Sequence, residues 1–384
     1  MFLQTLSLLW GIWLGQLSMQ GEKLPFNFEL KEEQGRPVMI IHNASERIRC
    51  DEITFRNDSL FIRMPVFDSE FHLKISENNL SGEWINYSKK DHPALPFNAE
   101  KGKEKRFYET ENATATISGR WETWFDVNDP DSSLAIGVFE QKGNIVTGTF
   151  LTETGDHRFI EGVVSENKLQ MSLFDGAHAW LYHATITNNK LEGVYYSGKS
   201  YQGPFHATQN AAIKLRDPET ITKVEGDFNF SFPSSEKKVV SLTDTAYRNK
   251  IVVVQIMGSW CPNCMDETAF LSDYYKKHKA DGVAIIGLAF ERSPEFDSAS
   301  TNVKRLIKRY NVEYPVLIAG ISGKENVMKQ IPSIKNFISF PTTFFINRQG
   351  KVVKVYTGFS GPATGDEYLK YIKEFEATIK AMEQ

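Results

Sequence analysis

At Asp217-Pro218 the chain changes its hydrophobic rhythm. Upstream, short runs alternate apolar and polar residues, as in 59–64, 70–75, 145–151 and 179–186. Such period-two runs predict half-buried strands. Turn signals separate them: Glu77-Asn78-Asn79, Gln141-Lys142-Gly143-Asn144, Glu166-Asn167-Lys168 and Asn188-Asn189-Lys190. Regular spacing of this kind points to antiparallel hairpins closing into a barrel or sandwich over residues 22–217. Downstream, strand-like runs alternate with helical ones, the signature of an α/β sheet with crossover helices over 218–384. Two domains follow, one antiparallel all-β and one α/β.

Within the β-rich half the pattern apolar-x-Gly-x-aromatic recurs at 80–84, 117–121, 146–150 and 191–195, and at 160–164 without the aromatic. A glycine inside a strand permits a bulge, a bend or the close approach of a neighbouring backbone. The aromatic two residues later returns to the same face. A curved sheet filled by rings is the expected outcome, with an aromatic-lined ligand cavity as the alternative. The charged stretch 91–105, with Pro93 and Pro96, reads as a loop.

The chain has 384 residues, 41% hydrophobic and 24% charged, which fits two globular domains rather than a disordered or fibrous chain. A net charge of -4 supplies no basic field for nucleic acid, so that class of partner is set aside. The first charged residue is Glu22, and the 16 apolar-rich residues Phe2 to Leu17 before it read as an export leader over residues 1–21. No Lys or Arg precedes this run and no clean small-x-small site follows it, so cleavage and retention as a membrane tether both stay open. Its length falls just under the ~17–25 residues that span a bilayer, which favours cleavage. Three cysteines, Cys50, Cys261 and Cys264, are too few to staple a secreted scaffold. They read as one working pair and one inert bystander, Cys50.

The apolar, β-branched run Ile251–Met257 predicts a buried strand, and it runs directly into Gly258-Ser259-Trp260-Cys261-Pro262-Asn263-Cys264 and a helical pattern. Half of a zinc ribbon has the same C-x-x-C, but zinc needs about four ligands and the sequence has neither a second C-x-x-C nor an H-x-x-x-H. Thiol chemistry explains the placement better. The thiolate is the attacking species, and an ordinary thiol, with a pKa of about 8.5, is mostly protonated at neutral pH. At a helix N-terminus, unpaired amides and the helix dipole favour the anion. Pro262 suits the first helical turn because its missing N–H costs nothing there. Cys261 is therefore expected to attack and Cys264, one turn on and less exposed, to resolve. Glu267 shares a helix face with Cys264 at i+3 and is positioned to exchange a proton with it; a solvated surface glutamate is the alternative. Asp266 points elsewhere and reads as solvated.

With Phe340-Pro341-Thr342-Thr343-Phe344-Phe345-Ile346 downstream, this arrangement resembles the thioredoxin superfamily over residues 219–384. The resemblance implies a thioredoxin-like fold and a redox-active Cys261–Cys264 disulfide with no further cofactor. It also implies a cis Pro341 facing that disulfide, and substrate contacts from Trp260, Pro262, Phe340, Pro341 and Thr342. The export leader, the strand-helix insertion between Val283 and Ala319, and Glu267 resemble TlpA- and ResA-like envelope oxidoreductases. That narrower resemblance implies a periplasmic or envelope location, with secretion as the alternative. It further implies a disulfide-containing exported protein as substrate, a membrane thiol donor, and cytochrome c maturation as one setting. Thioredoxin carries a buried acid six residues before its first active-site cysteine, where this chain has Gln255, so Glu267 or water must move the proton instead. Pro-Asn between the cysteines, in place of the Pro-His of oxidising relatives, removes an imidazolium beside Cys261 and argues for a reductase.

Two other functions compete. The β-rich half could be a client- or ligand-binding module served by an accessory oxidase or isomerase domain. A peroxiredoxin-like peroxidase is the third reading. It fits poorly, because Pro262 follows Cys261 and no threonine stands three residues before it.

Overall fold

The computed structural model describes residues 9–89, 91–108, 111–127 and 132–383. The chain divides into two compact units, Met1–Phe150 with His157–Lys214, and Leu151–Asp156 with Leu215–Gln384. The division at 214/215 falls three residues before the expected 217/218, and 151–156 joins the C-terminal unit although it lies in the β-rich half of the sequence.

Among the described residues, the β-rich half of the sequence forms two nine-stranded antiparallel sheets. The first runs up and down from Gly11–Met19 to Glu46–Cys50 and from Glu52–Arg56 to Ala94–Lys101, and joins its halves by pairing Gly11–Met19 with Ala94–Lys101. Two expectations are corrected here. The second part of the apolar run read as a leader or tether is a strand, bonded to Glu22–Glu33 on one side and Ala94–Lys101 on the other. Trp13 and Leu17 are fully buried in it. An uncharged apolar run satisfies a leader and a doubly paired strand equally well, and composition does not separate them. The start of that run, residues 2–8, lies outside the described residues. Second, most of the stretch read as a loop at 91–105 is the strand Ala94–Lys101. Pro96 is tolerated because pairing with Gly11–Met19 ends at Phe97, so no partner on that side needs its missing N–H.

In the second sheet every strand but Gly155–Asp156 joins a closed circuit, because Gly119–Phe125 pairs with both Ser133–Lys142 and Tyr201–Gln209 and Ser133–Lys142 pairs on to Ile145–Thr152. Its interior is filled by rings: Phe150 lies 5.1 Å from Phe125 and 5.2 Å from Tyr182, centroid to centroid. The first sheet encloses a similar core of Trp13, Phe26, Phe28, Phe71 and Phe97, with Phe174 stacked on Phe26 at 4.6 Å. The ring-filled reading of the repeat therefore holds. Four of the repeat's five glycines, Gly82, Gly148, Gly162 and Gly193, sit where a neighbouring backbone comes close: a Cβ on Gly162 would lie 2.0 Å from the Gln170 carbonyl oxygen, and one on Gly148 2.2 Å from that of Val138, while Gly119 meets only the Gln209 side chain. Gly162→Ala is expected to destabilise the β unit by about 1–3 kcal/mol, because the obstruction is backbone. Guanidinium denaturation of the full chain measures this, and an unchanged midpoint would refute the packing argument.

The C-terminal unit is built on strands β1 (Ile251–Met257), β2 (Val283–Glu291), β3 (Val316–Ile321), β4 (Thr342–Ile346) and β5 (Val352–Thr357), in the order β3-β2-β1-β4-β5. β1 to β3 are parallel, while β4 runs antiparallel to β1 and to β5. β1, β2 and β4 are buried at every residue, as apolar strands covered on both faces must be. The unit also contains helices α1 (Pro262–His278), α2 (Phe296–Tyr310), α3 (Lys324–Gln330) and α4 (Asp366–Glu383), and two small two-stranded sheets. This is the expected α/β thioredoxin-like order. The segment 151–156 is tied to it by Ser339 Oγ, which donates to the Thr154 carbonyl, and by the Gly361 N–H, which donates to Asp156.

Candidate active site

β1 ends at Met257, and a tight turn carries the chain to α1, with the Cys261 N–H donating to the Gly258 carbonyl. Cys261 caps α1 in an extended conformation, and its Sγ accepts the Cys264 N–H at 3.2 Å. Pro262 opens the helix where no amide partner is needed. The sulfur thus sits where helix-end amides favour a negative charge. Cys261 and Cys264 are joined as a disulfide with Cα atoms 5.2 Å apart. Cys264 is wholly buried and Cys261 keeps 6% of its surface.

The Phe340-Pro341 peptide is cis, and the Phe340 carbonyl oxygen lies 3.4 Å from Cys261 Sγ. Phe340 and Trp260, both half-buried, meet edge to face at 5.3 Å beside the disulfide. Trp260 Nε1 donates to the Phe290 carbonyl, and the Arg292 guanidinium lies 4.6 Å above the indole. Thr342 differs from its expected place. It is fully buried and its hydroxyl donates to the Ser339 carbonyl, so it fixes the turn and presents no side chain to a substrate. Pro262 is likewise buried. Cys50 lies in the core of the β unit, its sulfur 3.9 Å from that of Met64.

Glu267 is not a solvated surface residue. It is completely buried and accepts three hydrogen bonds: from Gln255 Nε2 at 2.9 Å, Thr343 Oγ1 at 2.7 Å and the Tyr371 hydroxyl at 2.9 Å. Burial pushes its pKa up to about 7 against the opposing pull of those three donors. Strand register explains the arrangement, since Gln255 on β1 stands opposite Thr343 on β4. Gln255 also donates to the Cys264 carbonyl and accepts from Thr268, so the residue in the place of thioredoxin's acid here orients an acid one helix turn beyond Cys264.

A second buried acid, Glu291 at the end of β2, accepts from the Ser259 N–H at 2.8 Å and the Ser259 hydroxyl at 2.6 Å. Burial raises its pKa, while the Ser259 bonds and Arg292 pull it down. Sequence reading passed over Glu291, Thr343 and Tyr371. Glu291 had one available signal: it ends a nine-residue, otherwise apolar strand at the carboxyl end of the parallel strands, where sites gather. Tyr371 had none, as its role depends on how α4 docks.

Among the described residues no cluster of His, Cys, Asp and Glu is placed to hold a metal. Fold and site together define a thioredoxin-like thiol-disulfide oxidoreductase whose redox group is its own cysteine pair. The Redoxin family model matches residues 224–371. The thiol-disulfide oxidoreductase ResA of Bacillus cereus is 30% identical over 172 residues, 45% of this chain and 85% of that protein. ResA of Bacillus subtilis is 29% identical over 160 residues, 42% of this chain and 81% of that protein. Among solved structures, a thiol:disulfide interchange protein of the thioredoxin family from Chlorobium tepidum aligns at 22% identity with a TM-score of 0.28, covering 41% of this chain and 98% of that one. The chain belongs to the ResA-like thiol-disulfide oxidoreductases, by its C-terminal half; the β-rich half lies outside the matches.

Proposed function

We propose that the protein is a disulfide reductase of exported proteins, working in the periplasm or cell envelope and recharged by a membrane thiol donor. The buried Glu267 is the observation that carries the mechanism. An acid with a pKa of about 7 is partly ionised at neutral pH and suited to take a proton and return it.

In the reduced state the Cys261 thiolate attacks one sulfur of a substrate disulfide. A new S–S bond forms at Cys261, and the departing substrate sulfur leaves as a thiolate and takes up a proton. The Cys264 thiol then gives its proton to the Glu267 carboxylate and attacks Cys261 Sγ. The second substrate sulfur departs, the substrate has gained two electrons, and the Cys261–Cys264 disulfide remains. A donor dithiol reverses these steps. Trp260 and Phe340 form the apolar rim against which the substrate chain lies, and Pro341 with its flanking backbone holds it extended beside Cys261.

The reducing direction rests on the Pro-Asn dipeptide, which places no imidazolium next to Cys261. A less stabilised thiolate makes a weaker oxidant. The equilibrium reduction potential of the pair tests this, followed by Trp260 fluorescence in redox buffers with Cys50→Ser. A value near that of thioredoxin, about -270 mV, is expected. A value near about -120 mV would recast the protein as an oxidase or isomerase.

A further inference from the structure

Glu291 plays no part in the exchange steps above, yet its surroundings converge on the nucleophile. A carboxylate at the end of a fully buried apolar strand is costly unless its oxygens find donors. Both are used on one residue, Ser259, two positions before Cys261: one oxygen takes its N–H and the other its hydroxyl. The flanking residues act on the next position. Phe290 accepts the Trp260 indole N–H at 2.9 Å, and Arg292 covers the ring. Three consecutive residues of one strand end thus hold both residues that lead into Cys261.

The turn they hold is tight. A Cβ on Gly258 would lie 2.3 Å from Trp260 Nε1, so the indole folds back over the glycine. The Cys261 N–H closes the same turn on the Gly258 carbonyl at 3.1 Å. Where Cys261 Sγ stands relative to the first amides of α1 is therefore inherited from Ser259 and Trp260. The stabilisation those amides give to a thiolate is short-ranged, confined to the first turn.

We propose that Glu291 is a positioning residue for the exchange reaction: its two hydrogen bonds to Ser259 fix the turn that presents Cys261 to the helix end and sets Trp260 at the rim. It acts by geometry rather than by charge. Its charge alone would oppose a thiolate at Cys261, so loss of the geometry and loss of the charge push Cys261 reactivity in opposite directions.

This inference rests on the reading of Cys261 as the attacking thiol, and one experiment separates the two. The reduced full-length chain carrying Cys50→Ser is alkylated with iodoacetamide across pH 5–9, with the modified residue identified by peptide mass. Labelling of the parent protein at Cys264 instead of Cys261 would overturn the reading of the site. With Cys261 labelled, Glu291→Ala is expected to slow alkylation at pH 7 by roughly tenfold, a fraction of what two hydrogen bonds to a charged group are worth, because they reach Cys261 only through the turn. The Cys261 pH profile moves upward, and the Trp260 fluorescence change between redox states diminishes. Glu291→Gln, which keeps a hydrogen-bonding partner for both the amide and the hydroxyl of Ser259, recovers most of the loss. An alkylation profile for Glu291→Ala matching the parent would overturn the inference, as would an equal loss in Glu291→Gln. Should Glu291→Ala not fold, Ser259→Ala decides, since it deletes the hydroxyl bond and keeps the amide. It is expected to give about a threefold loss, and an unchanged profile would count against the proposal.

Discussion

Cys264→Ser is expected to stop turnover and leave Cys261 covalently joined to its substrate. Attack needs only the sulfur at the helix end, while release needs the second thiol of the same helix turn, its Cα 5.2 Å from that of Cys261. With Cys264 gone, an external thiol at roughly millimolar concentration must do what a well-oriented intramolecular one does at an effective ~10⁵ M or more. Turnover should fall by about a thousandfold or more. Intact mass and a non-reducing gel after mixing the reduced variant with a disulfide peptide show the adduct. The complementary variant, Cys261→Ser, should form none; an adduct in that variant would reverse the roles of the two sulfurs.

Glu267→Gln is expected to make the protein more stable and slower at once. The acid's pKa is about 7 in the folded chain against an ordinary 4.5, so the folded state holds its proton where the unfolded state has released it. That contribution is fully present below about pH 4.5 and is lost as pH rises through 7. At about 1.4 kcal/mol per pH unit, the wild type gives up as much as ~3 kcal/mol by pH 8. Glutamine does not titrate and can keep the same partners, its carbonyl oxygen accepting from Gln255 and its amide donating to the hydroxyls of Thr343 and Tyr371. The stability difference between variant and wild type, from guanidinium denaturation, should therefore grow by about 2–3 kcal/mol between pH 5 and pH 8 in favour of the variant. A difference independent of pH would show that Glu267 does not titrate in this range. Turnover should fall by ~10²-fold or more, the usual worth of a positioned proton acceptor.

The C-terminal half of this fold was legible because its signals are local. A β-branched run at 251–257, a cysteine at a helix cap, a proline at N1 and an apolar strand after Pro341 each state their structure within a few residues. The site was legible to the depth of one helix turn: Glu267 lies three residues from Cys264. Its environment was not, because Gln255, Thr343 and Tyr371 meet it only through strand register and the docking of α4. In the β-rich half, individual strands announced themselves by alternation. Their closure did not, since pairing partners such as Gly11–Met19 and Ala94–Lys101 are far apart in the chain. The two misread segments failed for different reasons. Residues 11–19 lack the charged or polar alternation that would have marked a strand apart from a leader, and 94–101 carries Pro96 within a stretch whose flanks are charged.

The closed circuit of the second sheet also bears on how this protein behaves at high concentration. An open sheet ends in rows of unbonded amides and carbonyls that another extended chain can extend, the usual route to strand swapping and fibrils. The strands of the circuit are bonded on both sides and have no such row to offer; only the two-residue strand Gly155–Asp156 stands outside it. The first sheet does have two outermost strands, Glu46–Cys50 and Glu52–Arg56. Each is only five residues long and they carry Glu46, Arg47, Arg49, Glu52 and Arg56, so a chain laid against either would have to take up charges in mismatched pairs. Partly unfolded polypeptides held near this protein therefore find little on its β unit to polymerise against.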